Sequence, residues 1–251
     1  MKVSGTGRIL LWRGGSLWIG RVGEQTGAHV HHAVQITLGL SPGGVRFRTA
    51  GGDWKHYRAA IIPAHERHAF DAPGETVAHV FAEPESRAGR VLQLELRGRG
   101  IRRLDARAER SADELRALYE SRAPDERLRD AARRLIEALA GGGEPAQALD
   151  PRVGRAIESV RARLSEPVRL GDAARAVHLS PERFRRLFLE QTGMRFRPYV
   201  LWLRLERALE AYAAGRSLTE ASQAAGFADS AHLSRTFRRM FGVAPASLAV
   251  E

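Results

Sequence analysis

A helix-turn-helix pattern occurs twice in the last third of this 251-residue chain. Repetition of a supersecondary unit constrains a fold more tightly than composition does. The first copy runs through Leu170, Asp172, Ala173 and Ala174, breaks at His178-Leu179, and restarts at Ser180-Pro181 with Phe184, Leu187 and Phe188 before Gly193. The second runs through Leu218, Glu220, Ala221 and Ser222, breaks at Gly226-Phe227, and restarts at Asp229 with Leu233, Phe237, Met240 and Phe241 before Gly242. Ser180 and Asp229 are N-cap types, because their side-chain oxygens accept from backbone N–H groups that the helix leaves unpaired. Pro181 follows at the first helical position, where its missing N–H costs nothing. The apolar residues recur at three- and four-residue spacing and so form one stripe per helix. The opposite faces carry Arg183, Arg185 and Arg186 in one copy and Arg235, Arg238 and Arg239 in the other. Small residues at Ala173, Ala174, Ala221 and Ser222 let the preceding helix approach closely.

Between the copies, Pro198 to Tyr212 reads as one helix ended by Gly215. At 1.5 Å per residue it is roughly 20 to 25 Å long. Successive major grooves on one face of DNA lie about 34 Å apart. A spacer of this length presents two recognition helices to adjacent grooves, with some bending of the DNA.

The region from about 153 to 248 resembles the DNA-binding domain of AraC/XylS-type transcription regulators. The resemblance rests on Leu179-Ser180, Phe184, Phe188, Gly193, Tyr199, Arg204-Leu205 and Ala208, then on Gly226-Phe227, Asp229, Leu233, Ser234, Arg235, Phe237, Phe241-Gly242 and Pro245. Two positions depart from the family pattern: Ala221-Ser222 replaces an isoleucine-alanine pair, and Leu248-Ala249 replaces an aromatic-arginine ending. The resemblance implies that bases are read from the first turns of the two second helices, about 181–191 and 230–241. The matching residues are Glu182, Arg185 and Arg186, and Ser230, Ala231, His232 and Arg235. Arginine can pair bidentately with guanine and glutamate can accept from cytosine, whereas an arginine that only holds phosphate adds affinity without sequence information.

Charge agrees with this reading. The chain carries a formal net charge of +11, and residues 151–251 hold 17 Arg against 10 acidic residues. Positive charge is therefore denser where a polyanion would bind. The absence of cysteine excludes disulfides, thiol catalysis and cysteine metal sites. Residues 1–21 are too interrupted by Gly and Arg for a signal peptide, and no run of about 18 apolar residues exists for a membrane helix. A cytoplasmic protein is expected.

The first hundred residues read differently. Short apolar runs at 8–12, 17–21, 33–40, 45–48, 56–62, 77–81 and 91–94 are separated by turn residues such as Gly14-Gly15 and Pro42-Gly43-Gly44. Such spacing predicts an all-β barrel or sandwich. Helical signals begin at Ser111, with Ala112–Glu120 and Asp125–Ala140, and Gly141-Gly142-Gly143-Glu144-Pro145 reads as a linker. The expected fold is multidomain α+β: a barrel over 1–105, a helical dimerisation or linker segment over 106–150, and an all-α DNA-binding domain over 151–251.

Two histidine clusters lie in the strand-rich part, His29, His31, His32 and Gln35, then Pro63, His65 and His68. Their order resembles the two motifs of a cupin barrel, a fold that AraC-type regulators carry as an effector domain, although His65 stands where a turn glycine is expected. On a strand His29, His31 and Gln35 share a face while His32 points away. Imidazole ligates Zn, Fe, Ni or Cu. His29, His31, Gln35 and His68 are thus candidates for a divalent metal site or for an effector pocket, with Trp12, Trp18, Trp54, Phe47 and Phe81 as wall residues. Structural hydrogen bonding by the same histidines is the competing reading.

Two function classes follow. One is an effector-responsive DNA-binding regulator, an activator or a repressor, whose partners are double-stranded DNA, a small molecule, RNA polymerase and a second copy of itself. The other is a metal-dependent cupin enzyme fused to a DNA-binding module. The missing glutamate and the altered second motif favour the sensor, so no catalytic residue is assigned.

Overall fold

The computed structural model describes residues 5–141 and 147–250, so residues 142–145 of the expected linker lie outside the described residues. Two units emerge: 1–146 with 237–251, and 147–236.

The first unit is built on a large sheet with strand order β10-β1-β2-β8-β3-β6-β9, made by β1 (Gly5–Trp12), β2 (Gly15–Val22), β3 (Val34–Gly39), β6 (Ala59–Ile62), β8 (Thr76–Ala82), β9 (Arg102–Arg103) and β10 (Leu248–Val250). A smaller sheet, β5-β4-β7, is formed by β4 (Val45–Thr49), β5 (Lys55–Tyr57) and β7 (His68–Asp71). One face of the large sheet buries Leu17, Ile19, Ile36, Leu38 and Val80 against three helices, α1 (Arg87–Leu96), α2 (Ala106–Glu120) and α3 (Asp125–Ala140). On the other face, Ala60, Ile62 and Val77 meet Val45, Phe47 and Phe70 of the small sheet. The expected barrel is therefore realised as two sheets around a shared core.

One expected strand is a helix. Residues 91–94 lie inside α1, where Ser86 caps the first turn by accepting from Gly89 N. Ala88, Val91, Leu92 and Leu96 are buried at helical spacing, so the short apolar run at 91–94 is part of a longer helical period. Helix also begins before Ser111, because Asp105 caps α2 by accepting from Arg107 N.

The second unit is helical. It contains α4 (Pro151–Arg161), α5 (Leu170–Ala176), α6 (Pro181–Thr192), α7 (Phe196–Ala213), α8 (Leu218–Ala224) and the first part of α9 (Ser230–Phe241). Ser180 caps α6 by accepting from Arg183 N, and Asp229 accepts from His232 N at the start of α9. At 18 residues, α7 is about 27 Å long.

The breaks of the two copies are the same turn made with different residues. In each, a left-handed residue is followed by an amide that bonds five residues back: His178 (φ 56) before Leu179 N→Ala174 O, and Gly226 (φ 78) before Phe227 N→Ser222 O. Glycine enters this conformation freely, whereas histidine pays a steric cost there. A Cβ on Gly226 would also lie 2.1 Å from the Leu164 carbonyl oxygen. We predict that Gly226→Ala destabilises the protein by about 2 kcal/mol or more, and that His178→Gly stabilises it by up to ~1 kcal/mol, as read by urea denaturation. Equal effects at the two positions would contradict the equivalence of the turns.

Candidate DNA-reading surface and histidine site

The first two turns of α6 present their polar side chains to solvent, with Glu182, Arg185 and Arg186 between 59% and 76% exposed. Arg185 does not stand alone. Its guanidinium donates from Nη2 to both Glu182 carboxylate oxygens (2.8 and 2.9 Å) and from Nε to one of them (3.2 Å). That bond holds the Glu182 carboxyl below its usual range. Arg186 is only 3.8 Å from the same carboxylate and has the most open guanidinium of the set. On α9, Ala231 and Arg235 are exposed, while Ser230 and His232 are partly covered. His232 sets its ring edge-on to Phe227 at 5.2 Å. Phe184, Phe188 and Leu233 are buried. The departing pair Ala221-Ser222 is fully covered, with Ser222 Oγ donating to Thr219 O (2.8 Å). The altered ending, Leu248–Val250, forms β10 and pairs in parallel with β1.

In the first unit, His29, His31 and His68 come together, all buried, each offering a ring nitrogen within 4.8 Å of the others. His29 and His31 lie on the extended segment before β3, and His29 bridges to His68 at the start of β7. His32 turns away to Glu85 (2.7 Å) and His65 (3.3 Å). His65 adopts φ 66, the left-handed conformation that a glycine would favour.

Backbone carbonyls orient all three imidazoles. His29 Nδ1 lies 2.8 Å from Gly27 O, His31 Nδ1 2.9 Å from Ala33 O, and His68 Nδ1 2.9 Å from Glu66 O. A carbonyl oxygen can only accept, so each Nδ1 carries the proton and each Nε2 keeps its lone pair. His68 Nε2 is buried without a hydrogen-bond partner. His31 Nε2 faces Gln35 Oε1 at 2.7 Å, which sets two acceptors against each other. Burial and the neighbouring His68 and His29 hold the His31 imidazole well below its ordinary range. Burial, with His29 as neighbour, likewise pushes His68 and His79 down to about 3.

The Gln35 amide nitrogen donates to Thr37 Oγ1 (2.8 Å) and reaches His79 Nδ1 (3.1 Å). His79 lies on β8, on a wall of a cavity of about 130 Å³ that also exposes His29 and Gln35. Of the five expected wall residues, Trp18 and Phe81 line this cavity. Trp12 packs on the helix side of the large sheet under Arg133, Trp54 lies beneath Arg48, and Phe47 is core between the sheets. They are pulled away because each satisfies its ring elsewhere. Sequence reading missed His79, although Val77, His79 and Phe81 alternate along one face of β8. It also missed Phe241, which packs on Trp18 at 4.7 Å and lines the same cavity.

A family described as "Helix-turn-helix domain" matches residues 173–249. Two Escherichia coli proteins, both named as uncharacterized HTH-type transcriptional regulators, are similar to part of the chain. YpdC is 34% identical over 84 residues, covering 32% of this chain and 29% of its own length. YidL is 33% identical over 98 residues, covering 39% and 33%. The chain thus spans about a third of the length of these relatives. Among solved structures, an apo variant of ToxT from Vibrio cholerae aligns over 94% of this chain and 97% of its own with a TM-score of 0.63 and 11% identity. ToxT solved with an unsaturated fatty acid bound aligns over 92% of both chains with a TM-score of 0.56 and 12% identity. The chain has the fold of ToxT, and its residues 173–249 match the helix-turn-helix domain family.

Proposed function

We propose that this protein is a cytoplasmic transcription regulator that reads operator DNA with α6 and α9 and senses a small molecule with its sheet-rich unit. A homodimer and contact with RNA polymerase belong to the same reading. The observation that carries it is the pair of capped helices whose first turns expose Glu182, Arg185, Arg186, Ala231 and Arg235, held by equivalent turns in a repeated module. ToxT holds an unsaturated fatty acid in one of its crystal structures, and the present cavity, lined by Trp18, Phe81 and Phe241, offers an apolar site of its own.

The histidine cluster supports a metal as part of this sensor. Three neutral Nε2 lone pairs and the Gln35 carbonyl form an N3O donor set that suits a divalent transition ion. The three carbonyls behind the rings are the kind of outer support that orients metal-bound imidazoles. When bound, the ion would supply positive charge between His31 and Gln35. With glutamate absent and His65 in the second motif, the enzyme reading has less support than the sensor.

Selection from a random duplex pool tests the reading: enrichment of a specific site supports it, and no enrichment contradicts it. On the selected site, Arg186→Ala is expected to lose about 1 to 3 kcal/mol of specific affinity and to relax preference at one base position. A loss equal on random duplex would assign Arg186 to phosphate. Glu182→Gln frees Arg185 and is expected to raise affinity for random duplex, read by fluorescence anisotropy. For the histidines, elemental analysis of the purified protein is expected to find about one transition ion per chain, and His68→Ala to abolish it. A metal-free wild-type protein that also rejects added zinc would contradict the metal.

A further inference from the structure

The cavity is chemically lopsided. Most of its inner wall is aromatic or aliphatic, with Trp18, Phe70, Phe81 and Phe241 contributing rings and Val77 and Val243 filling between them. The rings already meet one another obliquely: Trp18 and Phe81 edge-on at 5.4 Å, Phe81 and Phe241 edge-on at 6.1 Å. Flat guests fit such walls, because edge-to-face and offset contacts suit the quadrupoles of aromatic rings. The cavity measures about 130 Å³ and opens to solvent, so its enclosed part matches a single ring, the guest that a closed apolar cavity of roughly 150 Å³ takes.

Its polar lining comprises Arg8, Arg21, Glu24 and Thr26 as well as His29, Gln35 and His79, and among these the hydrogen bonds around His79 fix where its proton sits. Gln35 Oε1 is turned to His31, so the Gln35 amide nitrogen faces Thr37 and His79. An amide nitrogen only donates. His79 Nδ1, at 3.1 Å from it and 3.0 Å from the Thr37 hydroxyl, is therefore an acceptor. The neutral ring then carries its proton on Nε2. His79 keeps accessible surface and lines the cavity, and no hydrogen bond engages its Nε2 among the described residues. The cavity thus offers an N–H donor at one end of an aromatic box.

Resting on the sensor reading above, we infer that the cavity binds a single-ring aromatic molecule carrying one carbonyl-type acceptor, which takes its hydrogen bond from His79 Nε2–H. Gln35 is a positioning residue here, because its amide decides which His79 nitrogen bears the proton. Val77, Phe81 and Phe241 select the ring by shape.

Calorimetric titration of the full-length protein with acetophenone and with ethylbenzene tests the inference, since the two differ in the carbonyl and little in size. Acetophenone is expected to bind about tenfold more tightly, the scale of one net hydrogen bond. His79→Leu is expected to erase that preference while keeping ethylbenzene affinity, which also reports that the cavity still folds. Equal binding of the two by the wild type, binding of neither, or a preference that survives in His79→Leu would overturn it. Metal content and DNA selection on the same sample keep the two ideas apart. A protein that selects DNA and holds its ion yet ignores the carbonyl would sink the inference and leave the regulator reading in place.

Discussion

Three backbone carbonyls, those of Gly27, Ala33 and Glu66, take the Nδ1 protons of three buried imidazoles, and the chemistry of the sheet-rich unit depends on that constraint. Once the protons sit on Nδ1, every Nε2 brings a lone pair into the cluster. His68 Nε2 then has no partner, and His31 Nε2 faces an oxygen. Unmet acceptors in a buried cluster are costly. The proposed cation would relieve that cost, whereas hydrophobic packing cannot. With Gln35 Oε1 turned to His31, the Gln35 amide nitrogen faces Thr37 and His79, and that orientation sets the proton position on His79.

The end of α9 belongs to the same unit as that cluster. Phe237 and Phe241 stack on Trp18 at 6.1 and 4.7 Å, and Gly27 N donates to Gly242 O (3.0 Å). Gly242 is confined to glycine, because a Cβ there would lie 2.5 Å from Gly27 O and 2.7 Å from His29 Nδ1. The beginning of α9 meanwhile carries Ala231 and Arg235 in the second unit. A ligand changes DNA binding only if it favours one arrangement over another.

The helical reader was legible because it repeats itself. Ser180-Pro181, Asp229 and the aromatic stripes announce helix starts and buried faces through local rules, and a local rule needs no knowledge of distant partners. The same logic failed at 91–94, where a short apolar run fits strand and helix equally until Ser86 caps it. Sites assembled from distant segments were only half visible. His29, His31 and His68 drew attention as residue types, but nothing in the sequence says that His79 shares Gln35 with them. Phe241 reads as core of the repeat, since its stripe spacing is satisfied by that role, and its place on the cavity wall depends on tertiary packing. Trp12 and Trp54 were misplaced for the converse reason: an isolated tryptophan carries no information about which face will cover it.

A regulator of the kind proposed would engage one face of DNA at successive major grooves with two recognition helices, α6 and α9, between which α7 and α8 lie. Hydroxyl-radical footprinting of the full-length protein on a selected duplex is the decisive measurement. Two protected patches are expected on the same face, centred about one helical turn apart. A single protected patch, unchanged by substitutions in the first turn of α9, would rule this mode of reading out.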